Sequence, residues 1–391
     1  MDTTWVKIPD VLFFQEGPGV RNTQYTAQGV KLLNVANLVD GNVDLSTSDR
    51  YISEEEAYGK YKHFLCDVGD FIVASSGIKV EYIDKKMGFI DKTMLPLCMN
   101  TSTIRFKVLD KSKLNIRYFM YYLKSHHFKD QLAIHITGSA QLNYGPSHLK
   151  KMTMPLIELD KQQEIVSTLD KLQSIITHLR TQLEKLDLLI KARFVEMFDL
   201  NTCEFRTLGE CTNFVDYRGH TPELSDKGTI RMVNAKSVGK GFFKYVDEYI
   251  TEETYDSWMH RGFGYPGDIL FVTEGHTFGN TCLIPEDMAK FALGQRVITI
   301  KGHDEIKNAF LCSYMQTDMF LKSINVYRTG GTAQGIRSKD LIKVFVPIPD
   351  ITKQTQFADF VNQVDQSKSI LQQELDKAQT LFDSLMQEYF G

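Results

Sequence analysis

The sequence predicts an α+β protein made of two tandem α/β-mixed modules, each followed by a long helix. The two helices are expected to pair with each other as a coiled coil. Three observations predict this fold class: an internal repeat that spans the chain, a heptad stripe that ends each copy, and short β-rich runs mixed with helical stretches ahead of each stripe. At 391 residues the chain has room for two or three domains of roughly 150 residues, each able to bury a core.

The repeat comes first because it organises everything else. Val30-Lys31-Leu32-Leu33-Asn34-Val35 matches Ile230-Arg231-Met232-Val233-Asn234-Ala235, and Tyr51-Ile52-Ser53-Glu54-Glu55 matches Tyr249-Ile250-Thr251-Glu252-Glu253. Further along, Gly69-Asp70-Phe71-Ile72 matches Gly267-Asp268-Ile269-Leu270, and Gly77 falls on Gly275. Thr137-Gly138 answers Thr329-Gly330, Ala140-Gln141 answers Ala333-Gln334, Met154-Pro155 answers Val346-Pro347, and the register then holds to Phe198 and Phe390. Collinear matches with small drifts in offset are what loop insertions leave in two diverged copies. The resulting divisions are residues 1–158, 159–200, 201–351 and 352–391.

In the first division, Asp70-Phe71-Ile72-Val73-Ala74 and Ser102-Thr103-Ile104-Arg105-Phe106 read as strands, and 116–132 reads as helix, as does 306–324 in the second copy. The Tyr118-Phe119-Met120-Tyr121-Tyr122 run falls at helical spacing and is expected in the core. Pro155 and Pro347 close each module.

The stretch after Pro155 places Ile165, Leu169, Leu172, Ile176, Leu179, Leu183, Leu186, Ile190, Phe194 and Met197 at alternating spacings of four and three. The twin carries Phe357, Val361, Val364, Lys368, Leu371, Leu375, Ala378, Phe382, Met386 and Tyr389, so Lys368 alone interrupts its line. Helices of this length run about 55 Å. A stripe this long needs a partner, and the twin is the obvious one; Lys368 facing the seam would fix register or orientation at some cost in stability.

Composition argues mainly by exclusion. The formal charge of −4 supplies no bulk electrostatic case for a nucleic-acid or membrane partner. No apolar run approaches the roughly 18 residues of a membrane span, and Met1 to Trp5 lack the pattern of a signal peptide, so a cytoplasmic chain without membrane contact is expected. Six cysteines (Cys66, Cys98, Cys203, Cys211, Cys282, Cys312) show no C-x-x-C pair and read as reduced thiols. There is no phosphate loop, nucleophile elbow or zinc helix, and no Pro-Pro pair of the kind amino-methyltransferases use around a flipped adenine. Gly262-Phe263-Gly264-Tyr265-Pro266-Gly267 reads as a turn between strands, and His126, His127 and Cys98 lack a second cluster at metal spacing. No catalytic residue and no metal site is expected.

What remains are polar stretches at equivalent places in both copies. Arg21, Asn22 and Gln24 answer Tyr217, Arg218, His220 and Thr221. Ser75, Ser76 and Lys79 answer Thr273 and His276, and Gln141, Asn143 and Tyr144 answer Gln334 and Arg337. Arg, Lys, Asn and Gln suit base edges, while Ser, Thr and backbone amides suit phosphates. A shared scaffold with differing loop chemistry fits two modules that read different short sequences, and equally any pair of diverged ligand loops.

With these residues in hand, the chain resembles the specificity subunit of type I restriction-modification systems over its full length. The resemblance rests on Thr137-Gly138-Ser139-Ala140-Gln141, Leu149, Pro155 and Gln162, and on Thr329-Gly330-Gly331-Thr332-Ala333-Gln334, Leu341, Pro347 and Gln354. Gly69-Asp70 to Gly77 and Gly267-Asp268 to Gly279 are also family-like. The acidic pair that usually precedes the Gln is replaced by Asp160-Lys161 and Thr352-Lys353, which leaves the helix cap open. The resemblance implies two target recognition domains, each contacting one half of a split double-stranded DNA site, with the two long helices as antiparallel coiled-coil spacers in a pseudo-two-fold arrangement. It further implies two methyltransferase subunits that bring S-adenosylmethionine, no cofactor in this chain, and two motor-nuclease subunits that cut unmodified DNA. An interaction scaffold with two β-rich ligand-binding modules on coiled-coil arms is the alternative.

Overall fold

The computed structural model describes residues 3–135, 142–217, 221–328 and 335–391. It divides into two compact units, Met1–Thr177 with Asp376–Gly391, and His178–Leu375.

In the first unit a four-stranded antiparallel sheet runs in the order Leu12–Glu16, Thr103–Val108, Phe71–Ala74, Met87–Phe89. A three-stranded sheet places Val30–Leu33 between Tyr51–Ile52 and the parallel strand Leu97–Met99. The N-terminal strand Thr4–Lys7 pairs with Thr153–Leu156. Phe71, Ile72, Val73 and Ala74 are all fully buried, so this strand is covered on both faces, as its unbroken apolar run requires. Ile72 and Ala74 pack with Leu33, Leu38, Leu97 and Met99, while Phe71 meets Phe119 of the helix Ile116–Lys124 edge to face at 6.3 Å. Tyr118, Phe119, Met120, Tyr121 and Tyr122 are buried, as the helical spacing predicted.

The second unit repeats this topology with Thr212–Asp216, Val297–Gly302, Ile269–Val272 and Thr281–Leu283 in one sheet. Ile230–Val233 lies between Tyr249–Ile250 and Phe291–Leu293, and Glu204–Thr207 pairs with Phe345–Ile348. Alternation along Ile269–Val272 sends Ile269 and Phe271 into one core cluster and Leu270 and Val272 into the other. Gly69 and Gly267 precede the buried strands at φ +85° and +80°, a conformation that favours glycine. The next residue closes the turn in each case: Asp70 Oδ2 accepts the Asp67 N–H at 2.9 Å and Asp268 Oδ2 the Tyr265 N–H at 3.0 Å. The Gly-Asp pair is therefore turn chemistry, and Tyr265 to Gly267 make a turn into a strand rather than a nucleotide loop.

The long helices span Leu159–Met197 and Ile351–Phe390. All twenty stripe positions are buried or half-buried, whereas the exposed apolar residues Ile175, Leu188, Leu189, Val195, Ile370 and Leu381 lie off the stripe. Within the second unit the pairing is antiparallel: Asp187 meets Lys368 at 2.7 Å, and seven residues on, Phe194 meets Phe357, ring centroids 5.7 Å apart. Lys368 is 17% exposed and also lies 3.5 Å from Asp365, so the polar residue of the stripe is paired across the seam. Phe198 closes the cluster at 4.7 Å from Phe310 of the helix Asn308–Met315. In the first unit the corresponding place is filled by Phe390 against Tyr118 at 5.1 Å and Phe382 against Tyr121 at 6.3 Å. The cap of the second long helix is Asp350, whose Oδ1 accepts the N–H groups of Thr352 and Lys353 at 3.0 and 3.1 Å.

The two copies solve one buried-charge problem differently. Asp70, 2% exposed, faces Arg105 at 3.2 Å and Lys107 at 3.2 Å, and Arg105 also donates to the carbonyls of Leu65 and His63. In the second copy Thr299 stands at the position of Arg105, and burial raises the Asp268 carboxyl above its usual range, Lys301 opposing. Asp70→Asn should therefore lower the opening free energy around residues 65–74 by about 3 kcal/mol, whereas Asp268→Asn should be neutral or stabilising near pH 7. Because the folded Asp268 holds its proton more tightly than the unfolded chain, its contribution improves as pH falls through that raised range and worsens as pH rises. Peptide-resolved hydrogen exchange at two pH values checks both signs; equal destabilisation by the two substitutions contradicts this account. On the seam, Leu183→Asp puts a charge into half-buried apolar surface and should lower stability by about 2 kcal/mol. An unchanged melting temperature by circular dichroism would mean that the stripe is not a packed seam.

Candidate nucleic-acid interface

The candidate site follows from how the strands end. Glu16 pairs with Ile104 and Ala74 with Thr103, so the loops after Leu12–Glu16 and Phe71–Ala74 and the turn before Thr103–Val108 leave the sheet at one end. The second unit has the same end, where Asp216 pairs with Ile298 and Val272 with Val297. Ser102 and Arg296 sit in the turns at φ +71° and +68°, strained for such side chains, and their carbonyls accept the N–H groups of Ser75 and Thr273 at 2.8 Å.

A second chain segment joins each end. Leu142–Asn143 pairs with Ser76–Ile78, and the Tyr144 N–H donates to the Ser75 carbonyl at 2.9 Å. In the other unit Gly335 bridges Glu274, and the Ile336 N–H donates to the Thr273 carbonyl at 2.9 Å. The stretches that the repeat aligned, 75–79 with 142–144 and 273–276 with 335–337, are thus brought together at one sheet end in each copy. Ser338 Oγ donates to Asp216 Oδ2 at 2.5 Å, which ties the 335–341 segment to the neighbouring strand end.

Single residues sort by exposure. Arg21, Asn22, Lys79, Thr221, His276 and Arg337 are exposed and Ser76 is half-buried. Gln24 is committed elsewhere: Oε1 accepts the Arg21 N–H at 3.1 Å, and Nε2 donates to Glu56 at 2.7 Å and Tyr61 at 3.1 Å. Thr221 Oγ1 accepts from Gln295. Four expected contact residues are corrected by burial: Ser75, Tyr144, Tyr217 and Thr273 are each 1% exposed and lie beneath the loops rather than on them. Tyr217 is held in the core, donating to the Gly262 carbonyl and accepting from the Arg261 N–H, both at 2.7 Å. Ser75 Oγ, Thr273 Oγ1 and Tyr144 Oη have no hydrogen-bond partner among the described residues, and burial raises the Tyr144 phenol further above its ordinary range. Gln141, Arg218, His220 and Gln334 lie outside the described residues, as does the side chain of Asn143.

Sequence reasoning missed Arg296. Its guanidinium is 56% exposed at this sheet end and pairs with Glu274 at 2.9 Å. Its signal was weak because the twin residue is Ser102, and an alignment of the copies hides a position whose chemistry changed. Among the described residues no group of three His, Cys, Asp or Glu side chains could hold a metal, and no helix is long and apolar enough to cross a membrane. Five of the six cysteines are buried, and burial pushes the Cys66 and Cys98 thiols up to about 12, which leaves them protonated and unreactive at neutral pH.

The loop ends of the two modules are therefore alike in backbone and unlike in side chains. This geometry agrees with the comparisons. Residues 21–187 and 202–380 match the family described as type I restriction modification DNA specificity domain. The chain is 24% identical over 290 residues to a putative type I restriction enzyme specificity subunit from Haemophilus influenzae, 70% of this chain and 67% of that protein. It is 23% identical over 186 residues to the specificity subunit of the MjaVIII type I restriction enzyme of Methanocaldococcus jannaschii, 46% of this chain and only 42% of that protein. In fold it is similar to the crystal structure of the type I restriction-modification S subunit from M. genitalium, with a TM-score of 0.61 at 17% identity over 100% of this chain and 96% of that one. A chain from a structural study of assembly in a type I system gives a TM-score of 0.50 at 15% identity, over 99% and 97% of the two chains. With both copies matched and little of the sequence left over, the chain belongs to the type I restriction-modification DNA specificity family.

Proposed function

We propose that this chain is the non-catalytic specificity subunit of a type I restriction-modification complex, reading a bipartite double-stranded DNA target. Residues 1–158 and 201–351 act as recognition domains, one per half-site, and 159–200 and 352–391 act as spacers between them. The single observation that carries this reading is the repeated sheet end: the same two chain segments meet there in both modules, with Lys79 and Ser76 in one and Arg337, His276 and Arg296 in the other. Arg and Lys recognise guanine edges and phosphates, and a constant frame with differing side chains gives two different short readouts. Arg21, Asn22 and Thr221 are assigned to DNA contact in this reading, as are Gln141, Asn143, Arg218, His220 and Gln334 from their place in the sequence.

Methylation of adenine, S-adenosylmethionine and DNA cleavage are assigned to partner subunits, two methyltransferase and two motor-nuclease chains, in the cytoplasm. The off-stripe apolar residues Leu188, Leu189 and Val195 of the first long helix suit the docking of such partners. Because partners would surround the DNA and add positive charge, the net charge of −4 on this chain is compatible with its role.

The test is methylation mapping of host DNA by single-molecule sequencing, with and without this gene. Loss of methyladenine at one split, asymmetric motif is the expected result; in a strain that expresses the cognate methyltransferase, an unchanged methylome rejects the reading. At residue level, Arg337→Ala should weaken recognition of one half-site by about 5- to 150-fold, the worth of roughly 1 to 3 kcal/mol for a base contact. Lys79→Ala should affect the other half-site only. Binding series with each half scrambled in turn check this, and equal loss at both halves would refute the division of labour.

A further inference from the structure

Gln162 and Gln354 lie in the first turns of the two long helices, 192 residues apart, and neither exposes any surface. Gln162 Oε1 accepts the Asn115 N–H at 2.9 Å, and its Nε2 donates to the carbonyls of Lys113 and Ile157, both at 2.8 Å. Gln354 repeats the pattern: Oε1 accepts the Lys307 N–H at 2.8 Å, and Nε2 donates to the carbonyls of Glu305 at 3.0 Å and Pro349 at 2.8 Å. Every partner in one copy corresponds to a partner in the other at the same displacement.

The partners are all backbone groups. That is why Lys113 has become Glu305, Asn115 has become Lys307 and Ile157 has become Pro349 without disturbing the network. Each glutamine joins three segments: the residue following the strand that closes the module, the loop that enters the helix Ile116–Lys124 or Asn308–Met315, and the long helix itself. A planar carboxamide that uses its acceptor once and both donors is held in orientation as well as position. Other ties at this junction differ between copies. Arg117 and Tyr121 reach Asp170 at 2.7 and 2.6 Å, whereas the corresponding residues are Ala309, Ser313 and Asn362. The glutamine clasp is constant where its surroundings have diverged.

We propose that Gln162 and Gln354 are positioning residues that fix the angle between each recognition module and its long helix, and thereby set the gap length that a split DNA target must have. The inference rests on the bipartite reading above. Its leverage is geometric: along a helix of about 55 Å, a tilt of about 4° at one end shifts the other by about 4 Å, more than the ~3.4 Å step of one base pair.

The test uses the full chain assembled with its methyltransferase subunits, on DNA carrying the native half-sites with the gap unchanged or altered by one or two base pairs. Gln354→Met keeps volume and removes all three bonds. Lys307→Pro removes the N–H that Gln354 accepts and sets the ring Cδ against Gln354 Oε1, so it expels the amide from this loop while leaving Gln354 itself in place, at a residue whose φ of −82° is near the range of the proline ring. Both variants should retain the half-site sequences and lose about tenfold in discrimination against a gap wrong by one base pair, and Gln162→Met should do the same from the other module. A folded variant that keeps the wild-type gap profile, or that loses methylation equally at every gap, overturns the proposal. If Gln354→Met fails to fold, Lys307→Pro decides. Failure of the wild type to methylate any split site would instead sink the bipartite reading, so the two are separable.

Discussion

Two helices of 39 and 40 residues, each with an apolar side chain every three or four positions, cannot keep that stripe in water, and the rest of the structure depends on how it is covered. Along its middle the stripe is only half-buried, with Leu179, Leu183, Leu186 and Ile190 on one helix and Leu371 and Leu375 on the other. Toward the ends it is buried because the globular modules contribute a second layer. In the second unit Phe194, Phe198, Phe310 and Phe357 form one cluster with centroid separations from 4.7 to 5.7 Å. A buried phenylalanine contributes about 2 to 3 kcal/mol relative to exposure, so a four-ring cluster outweighs any single polar contact at the junction. Module and helix are one packing unit for this reason, and the loops at the sheet end gain a rigid mount.

The two units show which parts of a duplicated module tolerate change. The sheet order, the parallel pairing of the inner three-stranded sheet and the turn before the buried strand are the same in both. What differs is polar: Arg105 becomes Thr299, Ser102 becomes Arg296, and the exposed Lys79 becomes the exposed Thr277. Interior charge can change because each copy has its own compensation, a guanidinium with carbonyl partners in one and, in the other, a carboxyl whose affinity for a proton is raised by burial. Loop charge can change because nothing in the frame rests on it. The module thus separates a frame held by backbone bonds from a loop surface whose side chains differ between the copies.

Much of the architecture was legible in the sequence because it is periodic or repeated. The heptad spacing identified every stripe position, and the structure leaves none of them exposed; the collinear matches identified two modules of one topology; the aromatic run at 118–122 read correctly as core. The loop reading was less complete. The segments it aligned between copies converge at one sheet end, yet it included Ser75, Thr273, Tyr144 and Tyr217, which are buried, and Gln24, whose amide is already spent. Residue type alone does not say which side of a loop faces inward, and alternation is too short there to settle it.

What the sequence determined by itself is therefore what local chemistry and period dictate: the strands around 70–74 and 102–106, the seam, the duplication and the turn that ends at Gly267, whereas the stretches 116–132 and 306–324, read as single helices, are each divided in two, at Ser125 and at Gln316-Thr317. Tertiary structure alone decided which surfaces converge and which side chains are used up. The pairing of 76–78 with 142–143, the bridge from Glu274 to Gly335 and the Thr273 N–H on the Arg296 carbonyl, which sets Arg296 beside Glu274, join residues tens of positions apart through backbone hydrogen bonds. Backbone groups are common to every residue, so such contacts leave no mark on the sequence. The clasps of Gln162 and Gln354 show both halves of this: the glutamines repeat visibly, while their partners, all main chain, could be found only in the fold.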